Sequence, residues 1–120
     1  SGQAVQRAVS AWKIEPHELL IVCDDVNLPL GTLRLRPHGS AGGHHGLASC
    51  LEALQTDAIP RLRIGVGIES LPKDLTDFVL SPFQREEQQR VDTDIIPRAV
   101  EACEQWSVHG IEVAMNRVNP

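Results

Sequence analysis

The chain is predicted to be an α/β protein on three observations. An apolar run, LLIVC at 19–23, ends on Asp24 and Asp25; two segments, TLRLR at 32–36 and RLRIGVG at 61–67, alternate strictly; and apolar residues recur at helical spacing before, between and after them. A continuous apolar stretch closed by turn residues marks a buried strand, and a period of two marks a strand with unlike faces. Groups just past the carboxyl end of a strand in an open α/β sheet line the ligand crevice, which makes Asp24 the first catalytic candidate.

Val5, Ala8, Val9 and Trp12 fall at i, i+3, i+4, i+7 and predict an amphipathic helix over about residues 1–12. Pro16 then opens a turn before a strand over 19–24. After Pro29 and Gly31, TLRLR predicts a second strand with Leu33 and Leu35 inward, leaving Arg34 and Arg36 on the other face. The segment HGSAGGHHGL at 38–47 feeds into a helix striped by Leu47, Cys50, Leu51 and Leu54, whose first turn lies near His44 or His45. Free backbone N–H groups at such a helix start favour an anion or a carbonyl oxygen.

In RLRIGVG, Leu62, Ile64 and Val66 share one face, and Arg61, Arg63, Gly65 and Gly67 the other, where the small residues permit close backbone approach. LPKDLTDFVLS at 71–81 reads as a loop with a short helix. Ile95, Ala99, Ala102, Cys103 and Trp106 stripe a long last helix that Pro97 should kink or restart, because proline removes one backbone donor. Gly110 ends that helix, and IEVAMNR adds a short one.

Length and composition fit one domain over residues 1–120: 42% of the chain is hydrophobic, and no apolar run approaches the roughly 18 residues of a membrane span. Cys23, Cys50 and Cys103 all fall at apolar positions and read as buried thiols of a reducing cytoplasm. Without a C-x-x-C pair or H-E-x-x-H spacing, neither a metal nor another cofactor is expected. A net charge of -5 and a pI near 5.4 argue against bulk RNA binding, though not against a local arginine patch.

CDDVNLPLGTLRLR, GGHHGL, RLRIGVG, DLTDFVL and the terminal AMNR stand in the order and near the spacing of the bacterial-type peptidyl-tRNA hydrolase family, which this chain closely resembles along nearly all its length. The resemblance implies a three-layer αβα sandwich with a mixed central sheet, hydrolysis of the ester between peptide and tRNA, and recycling of tRNA in translation. It also implies that these residues are the C-terminal two-thirds of the family domain, without the first strands and the catalytic histidine. The chain alone is then expected to turn over little or nothing, and to self-associate through an uncovered sheet surface where a complete member is a monomer.

Carried over residue by residue, the resemblance makes Asp24 the carboxylate that orients the catalytic histidine. Asp25, at another acid of the family, reads as structural. His45 stands where the family's GGHNGL has an asparagine that positions substrate or water; imidazole still donates one hydrogen bond but differs in shape from an amide. His44 matches the family's histidine and reads as a loop-structuring residue; His44 or His45 as a substitute base paired to Asp24 is the sharper alternative. Gly42, Gly43 and Gly46 form the substrate loop. Arg36 and Arg63 take the places of the basic pair that clamps the tRNA 5′-phosphate, and 71–81 that of a lid. A noncatalytic RNA-binding relative, or an inactive remnant, is the competing reading; the former is expected to expose an apolar patch that the polar faces of the last helices do not offer.

Overall fold

The computed structural model describes residues 1–67, 83 and 85–120; the expected lid lies outside them. Three strands, β1 (Ile21–Pro29), β2 (Leu33–Arg36) and β3 (Arg61–Gly67), form a sheet in the order β1-β3-β2. β1 runs parallel to β3 and β2 antiparallel, so the sheet is mixed. The helices are α1 (Gly2–Trp12), α2 (His45–Leu54), α3 (Arg85–Arg90), α4 (Ile96–His109) and α5 (Ile111–Val118). Together they make the three-layer α/β architecture that the sequence predicts.

One sheet face is the core. Leu33 and Leu35 of β2 and Leu62 of β3 pack against Ala99 and Ala102 of α4 and Ala114 of α5, small residues that let the helices approach closely. The inward leucines of the alternation are therefore placed as expected. Beyond the outer edge of β2, Asn119 stands in for a further strand: its Oδ1 accepts from the Leu35 N–H at 2.6 Å, and its Nδ2 donates to the Leu35 carbonyl at 3.0 Å. A side-chain amide carries one donor and one acceptor, as a peptide does, and so satisfies backbone groups that would otherwise lie bare at an edge.

The last long helix restarts at Pro97, and the backbone shows how. A regular helix would require a Pro97 N–H to reach the Thr93 carbonyl; instead, Val91–Ile95 widens into a π-turn in which the Ile96 N–H bonds Val91 five residues back. Gly110, at φ 84°, then ends α4. Two expectations fail on these helices. Trp12 is 75% exposed rather than packed in the α1 stripe, because α1 meets α2 through its other end, where buried Gly2 donates its N–H to Ser49 Oγ. Ile96 and Val100, one turn apart on α4, are about half exposed, so the last helices are not polar throughout their outer faces.

β1 continues past the expected end at Asp24, with a register irregularity between Asp25 and Pro29. The close approach permitted by Gly65 and Gly67 is made by the chain itself: a Cβ on Gly65 would collide with the Pro29 carbonyl oxygen, and one on Gly67 with that of Val26. Gly65→Ala is expected to cost about 1–3 kcal/mol by overpacking this crossing. A thermal melt matching the parent's would remove that account.

Candidate active site

Asp24 lies in the latter part of β1, opposite Ile64 of β3, with its side chain 42% exposed. His44 is the N-cap of α2. Its Nδ1 accepts the Leu47 backbone N–H at 3.0 Å, satisfying one of the free donors of the first helical turn. An Nδ1 lone pair used in this way leaves the ring proton on Nε2, and Nε2 lies 3.0 Å from Asp24 Oδ1. His44 thus donates to Asp24 through Nε2–H and ties the strand end to the helix start.

This geometry decides what each group can do. General base catalysis needs an unengaged lone pair, and His44 has none, since one nitrogen accepts from the helix and the other donates to the carboxylate. Asp24 Oδ2 has no hydrogen-bond partner among the described residues. His45, the first residue of α2, is exposed and makes no side-chain hydrogen bond among the described residues.

The glycine loop reaches this arrangement through left-handed backbone. Gly42 at φ 58° and Gly43 at φ 85° adopt conformations that other residues adopt only with strain. Gly42 also lies against the Arg63 guanidinium, where a Cβ would sit 3.3 Å from Nη2. Gly46 permits the His44 ring to fold over the helix start, since a Cβ there would sit 3.1 Å from Cε1.

Beneath the loop lies a residue that sequence reasoning missed. Arg61 is fully buried, and its guanidinium donates to four backbone carbonyls: Ile59 (2.9 Å), Ser40 (2.9 Å), Gly39 (2.8 Å) and Asp57 (3.3 Å). Burial, then the neighbouring Arg63, push its pKa below the ordinary arginine value. Arginine nevertheless stays charged in proteins, and the carbonyl dipoles take over the role of water. The one sequence signal is position: Arg61 heads a strand alternation beside a loop rich in glycine, where side chains are scarce and carbonyls need donors.

Arg63 follows on the same face. Its Nη2 donates to the Ser40 carbonyl at 3.1 Å and its Nη1 to Asp25 Oδ2 at 3.3 Å, while Asp25 Oδ1 accepts the Asn27 N–H at 2.8 Å. Asp25 therefore has the structural contacts of a turn residue. Arg36 lies on this face too, opposite Arg61 across the β2–β3 pair, with one hydrogen bond to the Leu35 carbonyl.

Cys23, opposite Arg63 on β3, is buried, and desolvation is the largest of the influences that raise its thiol pKa to about 11. At pH 8 roughly one part in a thousand is then thiolate, so iodoacetamide is expected to label Cys23 only on unfolding. The folded-state value lies above the ordinary 9.0. The stabilisation from burying the protonated thiol is thus complete below about pH 9 and lost as pH rises through about 11. Rapid labelling of the native protein at pH 8, located by mass spectrometry, would contradict this burial.

The sequence matches the family model described as Peptidyl-tRNA hydrolase over residues 1–120. The chain belongs to the peptidyl-tRNA hydrolase family. Similar relatives include peptidyl-tRNA hydrolases of Chlorobaculum tepidum, 46% identical over 99% of this chain and 63% of that protein, and of Chlorobium phaeobacteroides, 45% identical over 99% and 62%. Among solved structures, the peptidyl-tRNA hydrolase of Acinetobacter baumannii superposes with a TM-score of 0.85 at 29% identity, covering 98% of this chain and 59% of that one. The chain thus spans about three-fifths of the length of the relatives it matches. Among its described residues, no helix is long and apolar enough to cross a membrane.

Proposed function

We propose that this chain carries the Asp-oriented, tRNA-holding part of a cytoplasmic peptidyl-tRNA hydrolase, which cleaves the ester between a peptide and the terminal ribose of tRNA and returns the tRNA to translation. The observation that carries this reading is the Asp24–His44 tie, which fixes the carboxylate through Oδ1 beside a helix start, with no partner for Oδ2 among the described residues. Water attack on an ester requires a base, an acid that orients the base, and donors for the developing oxyanion. Asp24 is the orienting acid, and His44, already engaged at both nitrogens, does not serve as the base.

His45 and the loop of Gly42, Gly43 and Gly46 position the ester, with the imidazole donating where the family has an asparagine amide. Arg36 and Arg63 take the 5′-phosphate of the acceptor stem, as forked donors suited to phosphate oxygens. Arg36→Ala or Arg63→Ala is expected to weaken binding of a 5′-phosphorylated stem and to flatten its salt dependence; equal binding of phosphorylated and unphosphorylated stems by the parent would remove the assignment. By itself the chain self-associates through the outer edge of β1, which has no partner strand among the described residues and where Val22 is half exposed. A stable monomer on size-exclusion chromatography would count against that.

The deciding assay is release of an N-blocked amino acid from its tRNA, by this chain and by the chain joined to the segment of the C. tepidum relative that it does not match. Activity in the joined form alone supports the reading. Activity in the short chain would place the base within it, and silence in both would favour a binding relative.

A further inference from the structure

The β2–β3 register sets arginine against arginine twice. Arg34 lies directly opposite Arg63, and Arg36 opposite Arg61, so four guanidinium side chains rise from one sheet face. Directly opposed like charges destabilise an antiparallel pair. Two of the four have internal explanations: Arg61 is saturated by backbone carbonyls, and Arg63 is held by Asp25 and Ser40. Arg34 has none. Among the described residues it makes no hydrogen bond or ion pair, although its partner across the strands carries the same charge about 5 Å away at the Cβ positions.

We propose that Arg34 is a third phosphate-binding residue, which joins Arg63 and Arg36 in clamping a terminal phosphate monoester, the class to which the tRNA 5′ end belongs. The inference rests on the tRNA-binding reading above and adds to it a residue that the motif comparison leaves aside. Asp25 and the Ser40 carbonyl each take one Nη–H of Arg63, which orients that fork before any ligand arrives; its Nε–H and remaining Nη–H groups have no acceptor among the described residues. Arg34, opposite it and without a partner, supplies the second fork. A monoester dianion between them replaces a repulsion by charge-assisted contacts, and Arg36, diagonal to Arg63 on the same face, completes the set.

The test compares the parent with Arg34→Gln and with Arg7→Gln, a control on the exposed surface of α1. Binding is measured to an acceptor-stem RNA hairpin bearing either a 5′-phosphate or a 5′-hydroxyl, and melting with and without inorganic phosphate at low salt. Arg34→Gln is expected to lose about 10-fold or more of the preference for the 5′-phosphate and to flatten the salt slope by about one contact. Without phosphate it should melt no lower than the parent, because a repulsion has been removed; Arg7→Gln should match the parent throughout. An undiminished 5′-phosphate preference in Arg34→Gln overturns the proposal, as does an equal rise of both melting temperatures with inorganic phosphate. If the parent ignores both hairpins, yet phosphate raises its melting temperature and not that of Arg34→Gln, the clamp stands and the tRNA reading falls.

Discussion

Asp24→Asn is expected to lower the turnover of N-blocked aminoacyl-tRNA by roughly 100- to 10,000-fold, the range seen when a general base loses its charged orienting partner. The substitution is nearly isosteric. An asparagine Oδ1 still accepts from His44 Nε2–H, so the tie between β1 and the start of α2 survives and the fold should melt close to the parent. On the proposed mechanism, what disappears is the negative charge that would hold the catalytic imidazole in the correct tautomer and stabilise it once protonated. The loss should therefore fall on kcat, with KM for the tRNA little changed, because the arginine face is untouched. The measurement is steady-state hydrolysis by the joined form described above, alongside a thermal melt. Less than a tenfold fall in kcat, with an intact fold, would deny Asp24 its role.

Arg61→Leu is expected to be the most destabilising single change, at about 3–5 kcal/mol, a large share of the 5–15 kcal/mol that holds an ordinary domain folded. The guanidinium is fully buried, and four carbonyls depend on it. Two of them keep another donor, since Arg63 also reaches the Ser40 carbonyl and the Gly39 N–H also reaches that of Asp57. The Ile59 and Gly39 carbonyls lose the guanidinium contacts, and a buried acceptor left unpaired costs about 1–3 kcal/mol. Arg61→Lys should fall between, because one ammonium cannot span the width of the fork. Urea unfolding would show the difference as a lower midpoint at constant slope, and a loss under about 1 kcal/mol would show that the loop holds without its anchor.

Much of the fold was legible because it is written in local periods. Alternation placed Leu33, Leu35 and Leu62 inward, and Pro97 and Gly110 marked where the last long helix restarts and ends. Asp24 was legible as a candidate from its place after an apolar strand, and the glycine loop from its composition. Other features depend on residues distant in sequence. Asn119 substitutes for a strand beside Leu35, 84 positions away, and no local pattern announces such a partner. Gly65 and Gly67 read as positions of close backbone approach, and only the fold shows that the end of β1 is what approaches. The even spacing of Arg61 and Arg63 in RLRIGVG places them on one face without distinguishing them, whereas loop carbonyls bury the first and Asp25 and Ser40 hold the second.

The sequence alone determined the α/β class, the family, and the residues that face together along each strand and helix, because these follow from side-chain chemistry at fixed spacing. Tertiary structure alone decided the partners. His44 became a tether rather than a free base when a helix N–H took one nitrogen and Asp24 the other. Arg61 became an anchor because the loop closed over it, while Arg34 was left facing Arg63. Alternation sets the face of a strand from which a charge rises; the groups that meet it there depend on chain segments brought across the sheet by folding.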